Sequence, residues 1–161
     1  MIIGVDLGNY AVKTSENLHF LSKVIESNGF YGEKEICFEG KKIIVGEGEF
    51  QTDFNKSLKE NTLPLLFSAL ALSHPCEECF EVVLGLPIQQ YKNNKQELID
   101  YIKENRCKQI IHKGHTRNIT ICDVTVAPEG ASVYYNLPKD IRHKIDTKQL
   151  VIVDIGGRTT D

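Results

Sequence analysis

The sequence has few of the features that would set it apart from an ordinary globular chain. No apolar run approaches the roughly 20 residues that a membrane-crossing helix needs, so no membrane partner is expected. The opening MIIGVDLG has no basic start and no cleavage-site pattern, so no secretory leader is expected either. Charge of one sign is not in large excess: 19 Lys and Arg stand against 22 Asp and Glu, a net charge of −3. A chain so balanced has no bulk attraction to nucleic acid or to an anionic bilayer, and direct nucleic-acid binding is not expected. Internal repeats and low-complexity tracts are missing, so nothing points to a repeat array or a disordered tail. Cysteine is too sparse for a framework: five residues, an odd number without a leader, read as reduced cytoplasmic thiols rather than disulfides.

What is there suffices for one domain. The chain has 161 residues, of which 41% are hydrophobic and 25% charged. A chain of this length buries about 68–70% of its unfolded surface, enough for a real core.

The pattern along the chain predicts an α/β fold. Residues 2–6 (IIGVD) read as a short buried strand running into a turn at Gly8-Asn9-Tyr10, and 11–15 and 18–25 as two more strands. Residues 26–58 contain a hairpin, EICFEG-KKIIVGEG, with Glu39-Gly40 at its turn, then a polar stretch; we take 26–58 as a small inserted subdomain. Thr62 is placed to cap a helix that has Pro64 in its first turn, and LPLLFSALAL behind it is apolar nearly all round, the mark of a buried helix. Residues 80–86 read as a strand closed by Pro87, 91–106 as an amphipathic helix, and 108–113 and 117–126 as strands around Gly114. Pro128-Glu129-Gly130-Ala131 opens a short helix toward Tyr135, and 149–155 is the last strand. Helices alternating with apolar strands imply a mixed, mainly parallel sheet flanked by helices.

Two strands end alike. The first runs into Asp6-Leu7-Gly8-Asn9-Tyr10, with Lys13 beyond; the second into Asp154-Ile155-Gly156-Gly157-Arg158-Thr159-Thr160-Asp161. Glycine lets the backbone take a positive φ or come close to a ligand. Successive backbone N–H groups in such a turn make an anion-binding concavity. An aspartate there cannot favour phosphate directly, but it can hold a hydrated Mg2+ that bridges to phosphate oxygens. Lys13, Thr159 and Thr160 supply further donors. A third feature is Val124 to Ala131 (VTVAPEGA), a strand leading into a helix with Glu129 in its first turn. The helix dipole alone accounts for an acid there; the alternative is that Glu129 orients an attacking water.

Together these segments resemble the actin/Hsp70/sugar-kinase superfamily of ATPases. IGVDLGNYAVK (3–13) is similar to its first phosphate loop, VAPEGA (126–131) to its connecting segment, and VIVDIGGRTTD (151–161) to its second phosphate loop. Within the superfamily the chain is similar to the ParM/StbA type of bacterial actin-like protein. VVLGLPIQQYK (82–92), VGEGEF (45–50) and NKSLKENTLPLL (55–66) carry that likeness.

The resemblance implies an actin-like, ribonuclease H-like domain that binds ATP with Mg2+. Asp6 and Asp154 would hold the metal through waters, and Glu129 would polarise the hydrolytic water. Gly8, Asn9, Tyr10, Gly156, Gly157, Arg158 and Thr159 would form the phosphate loops, with Lys13 reaching the β- and γ-phosphates. Arg158 departs from the small or hydroxylated residue usual there and reads as facing solvent or phosphate. The family fold has a second domain that carries the adenosine site, so the chain is expected to be a first domain: core 1–25 and 59–161, insertion 26–58. The resemblance further implies head-to-tail filaments of the chain's own kind, an adaptor protein bound to plasmid DNA, and a cytoplasmic location. A small-molecule kinase of the same superfamily and a non-hydrolysing scaffold are the alternatives.

Two further stretches have blander readings. His74-Pro75-Cys76-Glu77-Glu78-Cys79 holds a Cys-x-x-Cys, but a structural zinc site needs a second pair, and Cys107 and Cys122 are isolated. Residues 103–117 (KENRCKQIIHKGHTR) are locally basic and read as a solvated face, with an acidic neighbouring subunit as the other reading.

Overall fold

The computed structural model describes residues 1–27, 29, 32–52, 55–56, 59–145, 151–153, 155 and 157. Among them one mixed sheet of nine strands is flanked by four α-helices. The chain opens with the expected meander: β1 (Ile2–Leu7) turns back as β2 (Ala11–Thr14), and β3 (His19–Leu21) follows antiparallel. The expected strand over 18–25 breaks at Ser22. Both donors of Ser22 are engaged by the first turn: its hydroxyl donates to the Gly8 carbonyl at 2.5 Å and its N–H to the Tyr10 carbonyl at 2.8 Å. Beyond it, β4 (Lys23–Glu26) pairs with another strand, β6 (Lys41–Phe50). β5 (Glu35–Phe38) and β6 form the predicted hairpin, and Gly40, at φ 84°, takes the left-handed turn conformation there.

Three central strands complete the sheet: β7 (Cys79–Leu86), β8 (Cys107–His112) and β9 (His115–Pro128). The order is β3-β2-β1-β7-β9-β8-β5-β6-β4. Parallel pairing is confined to β1-β7-β9, and the other pairings are antiparallel. The expected predominance of parallel pairing therefore holds only at the sheet centre: short turns make four of the other pairings antiparallel, and β4-β6 and β5-β8, which no short turn joins, are antiparallel as well. The first and last strands in the order, β3 and β4, are separated in the chain by Ser22 alone. The sheet must therefore curl until its two edges meet.

Helix α1 (Thr62–Ser73) packs on strands from both halves of the sheet, β1 and β2 as well as β4, β8 and β9, and so fills its concave side. Leu66, Phe67, Ala69, Leu70 and Ala71 are wholly buried, as an all-round apolar helix requires. Thr62 does not cap it. Asn61 is the N-cap residue, and the Thr62 hydroxyl donates instead to the Lys56 carbonyl at 2.6 Å. Helix α2 (Ile88–Glu104) starts three residues earlier than expected, directly after Pro87, and lays Leu98 and Ile102 on β7 and β9. Two short helices follow β9, α3 (Ala131–Asn136) and α4 (Lys139–Ile145). The helix over 139–145 is not among the expected elements; Asp140 in its first turn and Arg142, His143 and Lys144 in its last match the helix dipole at both ends. Of the expected strand over 149–155, residues 151–153 are not strand and Ile155 makes only an isolated bridge; the rest lies outside the described residues.

Two sequence expectations are corrected here. Cys79 and Cys122 form a disulfide across 43 residues, joining β7 to β9. The register shift between Phe80 and Glu81 makes Cys122 an extra residue in β9 and brings it beside the start of β7, a placement that spacing alone does not reveal. Cys79 is thereby withdrawn from any ligand set with Cys76. The basic stretch is also not one solvated face. Arg117 is buried and donates to the carbonyls of Ala71 (3.0 Å), His74 (2.8 Å) and Glu77 (3.1 Å), at and just beyond the C-terminal end of α1, where carbonyls lack helix partners. Lys108 and Lys113 are neutralised by Glu39 and Glu33 of the hairpin segment.

Candidate functional site

The three parallel strands present their C-terminal ends on one side of the sheet. Val5 of β1 stands beside Leu84 of β7, which stands beside Val126 of β9. Ligands of open α/β sheets bind outside such ends. An open cleft of about 490 Å³ lies there, and Asp6, Lys13, Gly85 and Glu129 all line it. Asp6 and Lys13 are direct partners in the β1-β2 register, so their side chains leave the same face of the hairpin. Among the described residues neither is bonded to another side chain, so both charges are available to a ligand.

The first glycine loop is held tightly. A Cβ on Gly8 would lie 2.7 Å from the Ala11 carbonyl oxygen, so this position needs glycine for close approach rather than for a positive φ. Lys59 donates to the Asn9 side-chain oxygen, and Ser22 anchors the loop from below. The Tyr10 ring stacks on Phe50 with centroids 5.6 Å apart, and Lys23 sits over the far partner's ring at 4.3 Å. On Gly157 a Cβ would overlap the Tyr10 ring, so Gly157 lies directly against the first loop. Tyr10 thus packs between Phe50 and Gly157. Val153 lines the cleft and Ile152 lies against Gly130. Asp154, Gly156, Arg158 and Thr159 lie outside the described residues.

Glu129 is not in the first turn of a helix, contrary to expectation. β9 runs on to Pro128, and Gly130, at φ 82°, is the N-cap residue of α3, so Glu129 sits in the turn before it. Its carboxylate is held by a residue the sequence reading passed over. The Lys56 ammonium donates to Glu129 Oε1 at 2.7 Å and to the Gly85 carbonyl at 2.8 Å.

The N-terminal sequence pattern of actin-like proteins matches residues 4–131. The chain belongs to the actin-like protein family. No curated protein matches it significantly. Solved structures with the same fold include a non-polymerisable quadruple mutant of pCBH ParM, at 20% identity and TM-score 0.70 over 89% of this chain and 51% of that one. An AlfA filament bound to AMPPNP matches at 15% identity and TM-score 0.61, over 84% of this chain and 57% of the other. An archaeal actin homologue in complex with ADP matches at 18% identity and TM-score 0.69, over 83% and 46%. The chain thus spans about half the length of the actin-like structures it matches. No helix among the described residues is long and apolar enough to cross a membrane.

Within the actin-like frame, the donor set suits a magnesium nucleotide. Asp6 and Lys13, which make no side-chain bond among the described residues, line one cleft, and a hydrated divalent ion and a polyphosphate require such a carboxylate and ammonium; the close-packed glycine loop follows Asp6 in the chain but does not line that cleft. The sequence missed Lys56 and Lys59 because they lie in a polar loop that resembles a linker. The family likeness of 55–66 covered both lysines but gave neither a role, and their spacing three apart just before an apolar helix was the other signal.

Proposed function

We propose that the chain forms one wall of the Mg2+–ATP site of a filament-forming actin-like ATPase whose filaments segregate plasmid DNA through an adaptor protein in the cytoplasm. The observation that carries this reading is the meeting of Asp6, Lys13 and Glu129 in one cleft at the ends of β1, β2 and β9. The neighbours bound to AMPPNP and ADP, and the AlfA filament, support nucleotide binding and self-assembly as properties to seek here. Because the chain spans half of those structures, the adenosine contacts would come from a second half, and 26–58 would be the variable insertion of the first.

Each residue has a role in this reading. Asp6, with Asp154, holds the metal's water shell. Lys13 donates to terminal phosphate oxygens, and the N–H groups around Gly8, Asn9, Gly156, Gly157 and Thr159 cradle the rest. Glu129 accepts a hydrogen bond from the attacking water and orients it. The bound nucleotide supplies the transferable γ-phosphoryl group, and catalysis by the protein is positioning and charge stabilisation. The test is phosphate release and light scattering by the full gene product with Mg2+ and ATP. Glu129→Gln should slow hydrolysis by about 10²–10⁴-fold while nucleotide affinity and polymer formation persist. Flat scattering across salt and Mg2+ conditions, or an undiminished rate in the variant, would refute the reading.

A further inference from the structure

Lys56 lies in the 55–66 segment that carries the family likeness but has no role in the reading above, yet its contacts lead to the centre of the cleft. Its side chain is only 4% exposed, and Glu129 is 22% exposed. Burying an ammonium is costly unless it is paired and fully hydrogen-bonded. Lys56 is paired and gives two of its three donors to acceptors, Glu129 Oε1 at 2.7 Å and the Gly85 carbonyl at the end of β7 at 2.8 Å. Its own backbone is fixed in turn, since the Thr62 hydroxyl at the start of α1 donates to the Lys56 carbonyl. On another side, Gly85 leaves just enough room for the carboxylate arm. A Cβ there would stand 2.9 Å from Glu129 Cγ and 3.3 Å from Oε1. The glutamate is clamped between a buried ammonium and a bare backbone, with Oε1 engaged and Oε2 without a hydrogen bond among the described residues.

We propose that Lys56 is a positioning residue for hydrolysis: it fixes the Glu129 carboxylate through Oε1 so that Oε2 faces the water in the cleft. This rests on the assignment of Glu129 to that water. A lone charged arm in an open cleft samples several rotamers, and misplacing a catalytic group by about 1 Å costs about 10²-fold. Lys56 removes that freedom without touching substrate. It also ties the site to the loop before α1, which belongs to neither glycine segment.

The experiment uses the full gene product with Mg2+ and ATP, and it reads kcat and KM for Lys56→Met, Glu129→Gln and the double variant. Lys56→Met should lower kcat by about 10–100-fold and leave KM within about twofold. Added to Glu129→Gln it should lower kcat by no more than about twofold, because groups that act as a unit are not additive. Should Lys56→Met fail to fold, Lys56→Arg decides, since the longer planar guanidinium displaces the carboxylate while keeping the charge. It should lower kcat at unchanged KM in the native background and not beside Glu129→Gln. An unchanged kcat, or an equal loss in both backgrounds, overturns the proposal while leaving Glu129 in place. An unchanged kcat in Glu129→Gln overturns the water assignment itself, and the Lys56 proposal falls with it.

Discussion

Replacing both Cys79 and Cys122 with serine tests the join between β7 and β9. The disulfide closes a loop of 43 residues. In the chain-entropy model, a 15-residue loop is worth about 3 kcal/mol and a 100-residue loop about 4.7, which puts this one at about 4 kcal/mol. Against a total stability of about 5–15 kcal/mol, that is a large share. For a domain of this size the same loss corresponds to about 8–16 °C in melting temperature. The assay is urea unfolding of the 161-residue chain, oxidised and reduced, beside the double variant. Reductant should lower the midpoint of the native protein to that of the variant and leave the variant unmoved. The oxidised protein should also show a smaller m-value, since its cross-linked unfolded state exposes less surface. Thiol titration of the unfolded oxidised protein should count three free cysteines, Cys37, Cys76 and Cys107. Five titratable thiols, or a midpoint indifferent to reductant, would refute the pairing. In a reducing compartment the pair would stand as thiols and the domain would run at the variant's lower stability.

Other substitutions probe the cleft and the core. Gly85→Ala places a Cβ 2.9 Å from Glu129 Cγ, and ordinary contact begins near 3.4 Å, so the carboxylate arm must shift by about 0.5 Å. Phosphate release by the full gene product should fall by about tenfold or more at unchanged nucleotide affinity. Arg117→Ala removes a donor from three buried or half-buried carbonyls, of which that of His74 keeps the Glu77 N–H, and denaturant melts should show a loss of about 3 kcal/mol. Phe67→Ala empties the centre of α1 and should cost about 3–5 kcal/mol by the same measurement, because no water or neighbouring chain can refill a fully buried site.

Periodicity carried most of the fold. The apolar run after Thr62 and the alternation in 80–86 could hardly be anything but a buried helix and a half-buried strand. What periodicity lacks is partnership. Nothing in residues 18–25 says that the segment changes neighbours at Ser22, since that break is caused by hydrogen bonds to Gly8 and Tyr10 from the loop before it. The predominance of parallel pairing was overestimated for the same reason, as the hairpin over 35–50 joins the main sheet through β8. At the site, Asp6, Lys13 and Glu129 stood out because glycine-rich strand ends are a local signal. Lys56 did not, because a lysine in a polar loop looks solvated until the fold closes over it. Arg117 was hidden likewise inside a basic stretch.

The curled sheet also bears on how copies of this chain could meet. Its edge strands, β3 and β4, are three and four residues long, and they are adjacent across Ser22. A strand from another molecule would find no long row of free backbone donors and acceptors to extend. Strand addition, the commonest accidental route to fibres, is therefore closed to the described part of the chain. An ordered polymer that met this part of the chain would meet side-chain surfaces rather than open backbone edges.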